Sequence, residues 1–198
     1  RPGLSNDSAA AAVYTARPSL SLPADLAPAK ADLLVVPTRG GPQGVWGDAW
    51  SFRWNYQVFA NAGYVVFAPN PRGSIGWGQA FVDDITGDWE GKAYEDVMRG
   101  TDYAEALPYV DKGRTAAAGA SYGGYMVNWI AGHTERYRAL VSHDGIFDLR
   151  SMYTSTEELW FVDWEFGGPP WERPEPYLRA SPSRFVSRFK TPTLVIHG

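Results

Sequence analysis

The sequence predicts an α/β fold built on a mainly parallel sheet, and two observations carry that expectation. From residue 31 onward, short apolar runs alternate with longer mixed segments, and each run is bounded by Gly, Pro or polar residues. Buried parallel strands have this look, because both of their faces are covered. The segments between the runs carry helical periodicity and helix stop signals, and strands alternating with helices build βαβ units.

The strand candidates, in order, are Leu33–Val36, Tyr64–Phe67, Thr115–Ala118, Ala139–Val141 and Leu194–Ile196. The first helix candidate, Phe52–Asn61, runs into Ala62-Gly63, a plausible C-terminal stop. The next, Tyr94–Leu107, puts Val97, Thr101, Ala104 and Leu107 on one face ahead of Pro108. Tyr122–Gly132 and Glu157–Trp164 complete the set. Residues 1–30 are rich in Ala, Pro and Ser without sustained periodicity, and read as a lead-in or linker to a single domain over 31–198.

Composition narrows the function. The 198 residues suffice for one domain with a real core, and 44% are hydrophobic. A net charge of −4 gives no basic footprint for nucleic acid. No apolar run approaches the roughly 20 residues of a membrane-spanning helix. The absence of Cys excludes disulfides, thiolate catalysis and Cys-ligated zinc. The first residue is Arg and no signal-peptide pattern follows it, so the chain reads as an excised piece. Nine Trp, eleven Tyr and nine Phe provide rings for a core and for apolar substrate pockets.

The chemistry points to Gly119-Ala120-Ser121-Tyr122-Gly123, which fits G-x-S-x-G. A nucleophile must project from a tight strand-to-helix turn, and the glycines let neighbouring backbone approach without Cβ clashes. A strand candidate runs into the motif and a helix candidate leaves it, as such an elbow requires. The helix then aims unpaired N–H groups and a positive partial charge at the site. The loop after the first strand, Pro37-Thr38-Arg39-Gly40-Gly41-Pro42-Gln43-Gly44, holds consecutive glycines. Their amides can face a substrate oxygen where hydrolases of this design place a second oxyanion donor.

With these segments in view, the sequence resembles the prolyl oligopeptidase family of serine peptidases, in its acylaminoacyl-peptidase and dipeptidyl-peptidase V branch. Matching segments are Gly40–Gly44, Asn70-Pro71-Arg72-Gly73-Ser74 with Gly76-Trp77-Gly78, Asp88-Trp89, Tyr94–Val97 and Gly119–Met126. Ser142-His143-Asp144-Gly145, Glu165–Gly168 and Pro192–Gly198 follow. The resemblance implies an α/β-hydrolase fold and cleavage of short peptides through an acyl-enzyme on Ser121. The backbone N–H groups of Tyr122 and Gly41 would serve as oxyanion donors, and no cofactor is implied. In relatives a β-propeller restricts entry to small peptides, so the parent protein is expected to carry one ahead of this domain. Where the family usually has His or Tyr, this chain has Arg39, either a donor to the developing charge or a solvated loop arginine. The family's acid and base follow the position of Gly198, so the domain reads as C-terminally truncated. The elbow alone does not separate amide from ester hydrolysis, which leaves an esterase or lipase, or a non-catalytic fragment, as alternatives.

Other residues divide into site walls and scaffold. His143 and Asp144 are adjacent, and neighbouring side chains on a strand face opposite ways, so they are not expected to orient one another as base and acid. They are read as walls of the site, since they follow the strand after the elbow. His133 ends a helix as a cap favouring the dipole, and by resemblance His197 positions the acid loop. No H-x-x-x-H or H-E-x-x-H spacing suggests a metal. Gly73–Gly78 lacks the ending of a phosphate loop. Asp83, Asp84, Asp88 and Glu90 read as a solvated acidic face. Tyr153, Trp160, Phe161 and Trp164 read as core by spacing, while by family position Phe147 and Tyr153 would wall the pocket for the residue before the scissile bond.

Overall fold

The computed structural model describes residues 19–21, 31–36, 40–47 and 52–198. Among these, six strands form one sheet: β1 (Ser19–Ser21), β2 (Ala31–Val35), β3 (Val65–Ala68), β4 (Val110–Ala120), β5 (Ala139–His143) and β6 (Thr193–Ile196). Their spatial order is β1-β3-β2-β4-β5-β6. All neighbours are parallel except β1, which pairs antiparallel with β3. Strand β1 lies within the stretch read as a lead-in.

All five apolar runs become strands. The Thr115–Ala118 run is the inner part of the longer β4, whose outer half carries Lys112, Gly113 and Arg114 in solvent. Among the described residues seven helices connect or cover the sheet: α1 (Tyr56–Asn61), α2 (Gln79–Asp83), α3 (Lys92–Glu105), α4 (Tyr122–His133), α5 (Leu149–Ser155), α6 (Leu159–Phe166) and α7 (Pro174–Arg179). A 3₁₀ turn, Pro182–Arg188, leads towards β6.

The alternation of strand side chains sorts the core into two layers. Leu33, Val35, Val65, Phe67, Ala117 and Leu140 face Val97 and Ala104 of α3 and the apolar side chains of α4. Leu34, Val36, Val66, Ala68 and Ala118 face the other way, onto Ala60 of α1 and Trp46. Every residue of α4 except His133 is buried, so this helix is a central wedge. In α3 the buried face contains Val97, Thr101 and Ala104, as the spacing predicts.

Local signals fix several helix ends. The Asn55 side chain accepts from the Gln57 N–H and starts α1 later than the sequence pattern suggests. Asp148 caps α5 by accepting from the N–H groups of Arg150 and Ser151, and it also accepts from the Ser183 hydroxyl. Burial alone would raise its carboxyl. The Ser183 and backbone bonds, with Arg150 nearby, instead hold it below the usual range.

Two core expectations are corrected. Leu194, Val195 and Ile196 are exposed, because among the described residues β6 is the last strand of the order and pairs with β5 alone. Trp160 and Trp164 are 70% and 72% exposed. Their spacing of one helical turn puts both on the outer face of α6, while Phe161, Val162 and Phe166 turn inward.

The loop before α2 is held by a buried ion pair. Arg72 donates through Nε and its backbone N–H to one Asp96 oxygen at 2.9 and 2.8 Å, and through Nη2 to the other at 2.9 Å. Both residues are almost fully buried. Burial raises the Asp96 carboxyl above its ordinary value, and the bonds from Arg72 oppose that rise. Removing one partner strands the other charge, which costs about 3–5 kcal/mol in buried pairs. Arg72→Met is therefore expected to lower the unfolding free energy by about that amount, and Arg72→Met/Asp96→Leu to recover much of the loss, as chemical denaturation would read.

Candidate active site

Ser121 occupies the turn between β4 and α4 with φ 56° and ψ −121°, a conformation side-chain-bearing residues rarely adopt. It is exposed, at the C-terminal edge of the sheet. Its N–H donates to the His143 carbonyl at 3.0 Å, and its carbonyl accepts the first helical bond, from the Tyr125 N–H at 2.9 Å. The turn fits because side chains are missing where backbones meet. A Cβ on Gly119 would overlap the Gly123 carbonyl, and one on Gly124 would lie 2.6 Å from Gly145 Cα. The Tyr122 N–H, at the first position of α4, has no acceptor within the helix.

The Gly40–Gly47 loop lies against this turn. A Cβ on Gly40 would sit 3.3 Å from Ser121 Cβ and 3.6 Å from its Oγ, so only glycine lets the loop come this close without displacement. Gly41 has φ 142°, and a Cβ on it would lie 2.7 Å from the Gln43 backbone nitrogen. Polar anchors hold the loop, among them the Tyr56 hydroxyl donating to the Gly47 carbonyl. Asn70 accepts from the Trp46 N–H at 2.7 Å and donates to its carbonyl at 2.9 Å. Gln43 Nε2 donates to Glu165 Oε1 at 2.8 Å. The other oxygen of Glu165 accepts from Trp89 Nε1 at 2.8 Å, and the Trp89 carbonyl accepts from the Tyr122 hydroxyl at 2.8 Å. Burial pushes the Glu165 carboxyl above its usual range, and the bonds from Trp89 and Gln43 oppose this. Burial also raises the Tyr122 hydroxyl well above its ordinary value.

Sequence reasoning assigns none of these supporting residues an individual role. Gln43, Asn70, Trp89 and Glu165 each lie in a segment that carries the family resemblance, but their partners are distant in the chain. Trp89 is fully buried in a ring cluster with Tyr122, Tyr125, Phe161 and Phe166, at centroid distances of 5.1–6.0 Å.

The histidines require one correction. His143 Nε2 lies 3.1 Å from Asp144 Oδ2, so these neighbours do engage each other. The strand ends at His143, and Asp144 takes a left-handed φ of 46°, which swings its carboxylate back. The other Asp144 oxygen is 3.1 Å from His197 Nδ1 and accepts from the Gly198 N–H at 3.3 Å. Asp144 thus links the exits of β5 and β6. His133 closes α4 by bonding the Trp129 carbonyl at 2.7 Å, as expected of a C-terminal cap. Among the described residues, no histidine nitrogen is hydrogen-bonded to Ser121 Oγ, and no group of three His, Asp or Glu side chains is arranged to hold a metal ion.

The remaining candidates separate. Tyr153 is buried against Trp171 and Tyr177, with ring centroids 5.4 and 6.0 Å away. Phe147 is partly exposed beside Phe189. Arg39 lies outside the described residues. The acidic group is not a uniform solvated face. Asp83 is exposed, but Asp88 accepts from the Lys92 N–H at 3.1 Å, Asp84 pairs with Lys92, and Glu90 is buried against Arg179. Backbone donors and these cations draw three of the four carboxylates into the scaffold.

Residues 50–198 match the model of the prolyl oligopeptidase family. The chain belongs to this family. Among curated relatives, dipeptidyl-peptidase 5 of Schizosaccharomyces pombe is 52% identical over 168 residues, which cover 83% of this chain and 25% of that protein. Dipeptidyl-peptidase 5 of Porphyromonas gingivalis is 42% identical over 182 residues, covering 89% of this chain and 27% of that protein. The acylaminoacyl peptidase of Pyrococcus horikoshii superposes with a TM-score of 0.83 at 30% identity, covering 91% of this chain and 29% of that one. The α/β-hydrolase architecture that the resemblance implies is therefore the fold of this chain. The chain spans about a quarter of the length of these relatives.

The strain at Ser121 is measurable without any assay of activity. Glycine removes the Cβ that makes φ 56° unfavourable, a strain of about 1–3 kcal/mol, and gives back about 0.5–1 kcal/mol through the unfolded chain. Ser121→Gly is expected to be more stable than Ser121→Ala by about 1 kcal/mol, read from urea denaturation of the two variants. Equal stability would show that the turn is relaxed.

Proposed function

We propose that this chain is the nucleophile-bearing part of a serine peptidase that hydrolyses short peptides through an acyl-enzyme on Ser121. The observation that carries the reading is the exposed Ser121 on a strained turn, with the glycine loop so close that a Cβ on Gly40 would lie 3.6 Å from its Oγ. Ser121 Oγ attacks the scissile carbonyl carbon and the C–N bond breaks. The leaving amine takes up a proton, and water then hydrolyses the ester. Developing negative charge on the carbonyl oxygen is held by the amides of Tyr122 and Gly41. Tyr122 N–H begins α4, where the helix dipole favours an anion. Asp144, Phe147, Tyr153 and Arg39 are the proposed substrate contacts, and no cofactor enters the reaction.

The proton acceptor for Ser121 is proposed to come from sequence following Gly198 in a longer protein, together with the acid that orients it. The partners of the three histidines support this: His133 is engaged by a backbone carbonyl, and His143 and His197 by Asp144. A β-propeller ahead of residue 31 is proposed as the filter that admits only small peptides. The family and its dipeptidyl-peptidase relatives favour amide over ester substrates.

A protein extended at the C-terminus is expected to hydrolyse peptide substrates and to lose that activity with Ser121→Ala. The 198-residue chain alone is expected to be slower by several orders of magnitude, because a serine hydroxyl without a hydrogen-bonded base is a weak nucleophile. Peptidase assays on the three proteins measure this. Comparable Ser121-dependent turnover by the short chain would mean that one of the three histidines already serves as base.

A further inference from the structure

We propose that Gln43 and Glu165 are positioning residues that set the spacing between the two oxyanion-binding amides. The inference rests on the reading of Ser121 as nucleophile and of Gly41 and Tyr122 as oxyanion donors. An oxyanion hole acts only if its donors are fixed before the charge develops, so what holds them apart at the correct distance matters as much as the donors.

One of the two donors sits in a loop rich in glycine. Gly40, Gly41, Gly44 and Gly47 supply little side-chain packing. Gln43 holds the loop close to Gly41, while Trp46 and Gly47 hold it further along, through Asn70 and the Tyr56 hydroxyl. The Gln43 anchor is two residues from Gly41, and the turn between them is so tight that a Cβ on Gly41 would lie 2.7 Å from the Gln43 backbone nitrogen. The other donor belongs to Tyr122, whose hydroxyl is held by the Trp89 carbonyl. Glu165 joins the two sides: Oε1 takes the Gln43 amide and Oε2 takes the Trp89 indole, both at 2.8 Å. Glu165 is only 1% exposed, and its own carbonyl accepts from the Gly87 N–H at 2.9 Å, two residues before Trp89. A buried carboxylate with two directional bonds is a stiff strut in a low-dielectric setting. It runs from the glycine loop to the residue behind the elbow, across 122 residues of sequence.

The chemistry of the pair makes a selective test possible. Gln43→Met keeps the volume and removes the donor. Gln43→Glu opposes two carboxylates, which repel when both are ionised. Adding Glu165→Gln to Gln43→Glu restores both bonds in exchanged form. The amide nitrogen now at position 165 donates to the carboxylate now at position 43, and the amide oxygen at 165 accepts from Trp89. Gln43→Met and Gln43→Glu leave the buried Glu165 carboxylate without its amide partner and are expected to melt below the parent. The exchanged pair should melt close to the parent, so kcat is compared at a temperature at which every variant is folded.

In the C-terminally extended peptidase, Gln43→Met is expected to lower kcat by about 10–100-fold with KM changed less than about threefold, as loss of transition-state stabilisation requires. Gln43→Glu should fall at least as far near neutral pH and recover partly as the pH drops and the pair takes up a proton. Gln43→Glu/Glu165→Gln should regain most of the lost kcat, whereas Gln43→Met/Glu165→Gln should not. Wild-type kcat in both Gln43 variants, with Ser121→Ala inactive, would overturn the strut and leave the nucleophile assignment standing. A loss of kcat that the exchanged pair does not rescue would also overturn it. Activity in Ser121→Ala would bring down the underlying assignment itself.

Discussion

Everything near Ser121 depends on three backbone segments approaching one another without side chains between them. The end of β4 meets the first turn of α4 at Gly119 and Gly123, and α4 meets the exit of β5 at Gly124 and Gly145. A methyl group at these crossings would lift α4 from the sheet. Because α4 is buried along almost its whole length, that shift would propagate into the Trp89–Tyr122–Tyr125 rings and the layer below them. Interiors packed to crystal-like density do not absorb such movement locally. The exposed serine is thus held by the closeness of the surrounding backbone, and the same closeness stores the strain of its positive φ.

Apolar burial and polar bonds do different work in this domain. The two core layers specify that helices cover both faces of the sheet, but hydrophobic attraction has no direction and fixes no loop. The loops at the C-terminal edge are fixed by a few buried polar pairs: Arg72 with Asp96, Asn70 with the Trp46 backbone, and Glu165 with Gln43 and Trp89. Each joins residues far apart in the chain, and each is costly to leave half-made. Asp144 does the same at the exits of β5 and β6, with one oxygen for His143 and the other for His197.

This division explains what is legible in the residues alone. Buried parallel strands and the elbow are written in contiguous residues, so all five strand candidates and the turn at Ser121 can be located from sequence. Helices α2, α5 and α7 span only five to seven residues, too few for a periodicity to rise above their surroundings. The exposure of Trp160, Trp164 and β6 escapes such a reading because apolar character does not say which face of an element has a neighbour. The His143–Asp144 contact is hidden because strand alternation holds only while the strand lasts, and Asp144 leaves it through a left-handed residue. The Gln43–Glu165 bond is beyond reach for a plainer reason. Its two ends lie in separate segments, and no local rule pairs a loop glutamine with a helix glutamate 122 residues later.

The uneven placement of tryptophan has an optical consequence. Trp89 is completely enclosed and Trp129 nearly so, with tyrosine rings close by, while Trp160, Trp164 and Trp171 are open to solvent. Indoles in water emit further to the red and are reached by small quenchers, whereas enclosed ones are shielded. Quenching with iodide or acrylamide would strip away the surface emission and leave a blue component dominated by indoles at the core. Because Trp89 is bonded through its ring nitrogen to Glu165 and through its carbonyl to Tyr122, that residual band and its near-ultraviolet dichroism report on the packing directly behind the Ser121 turn.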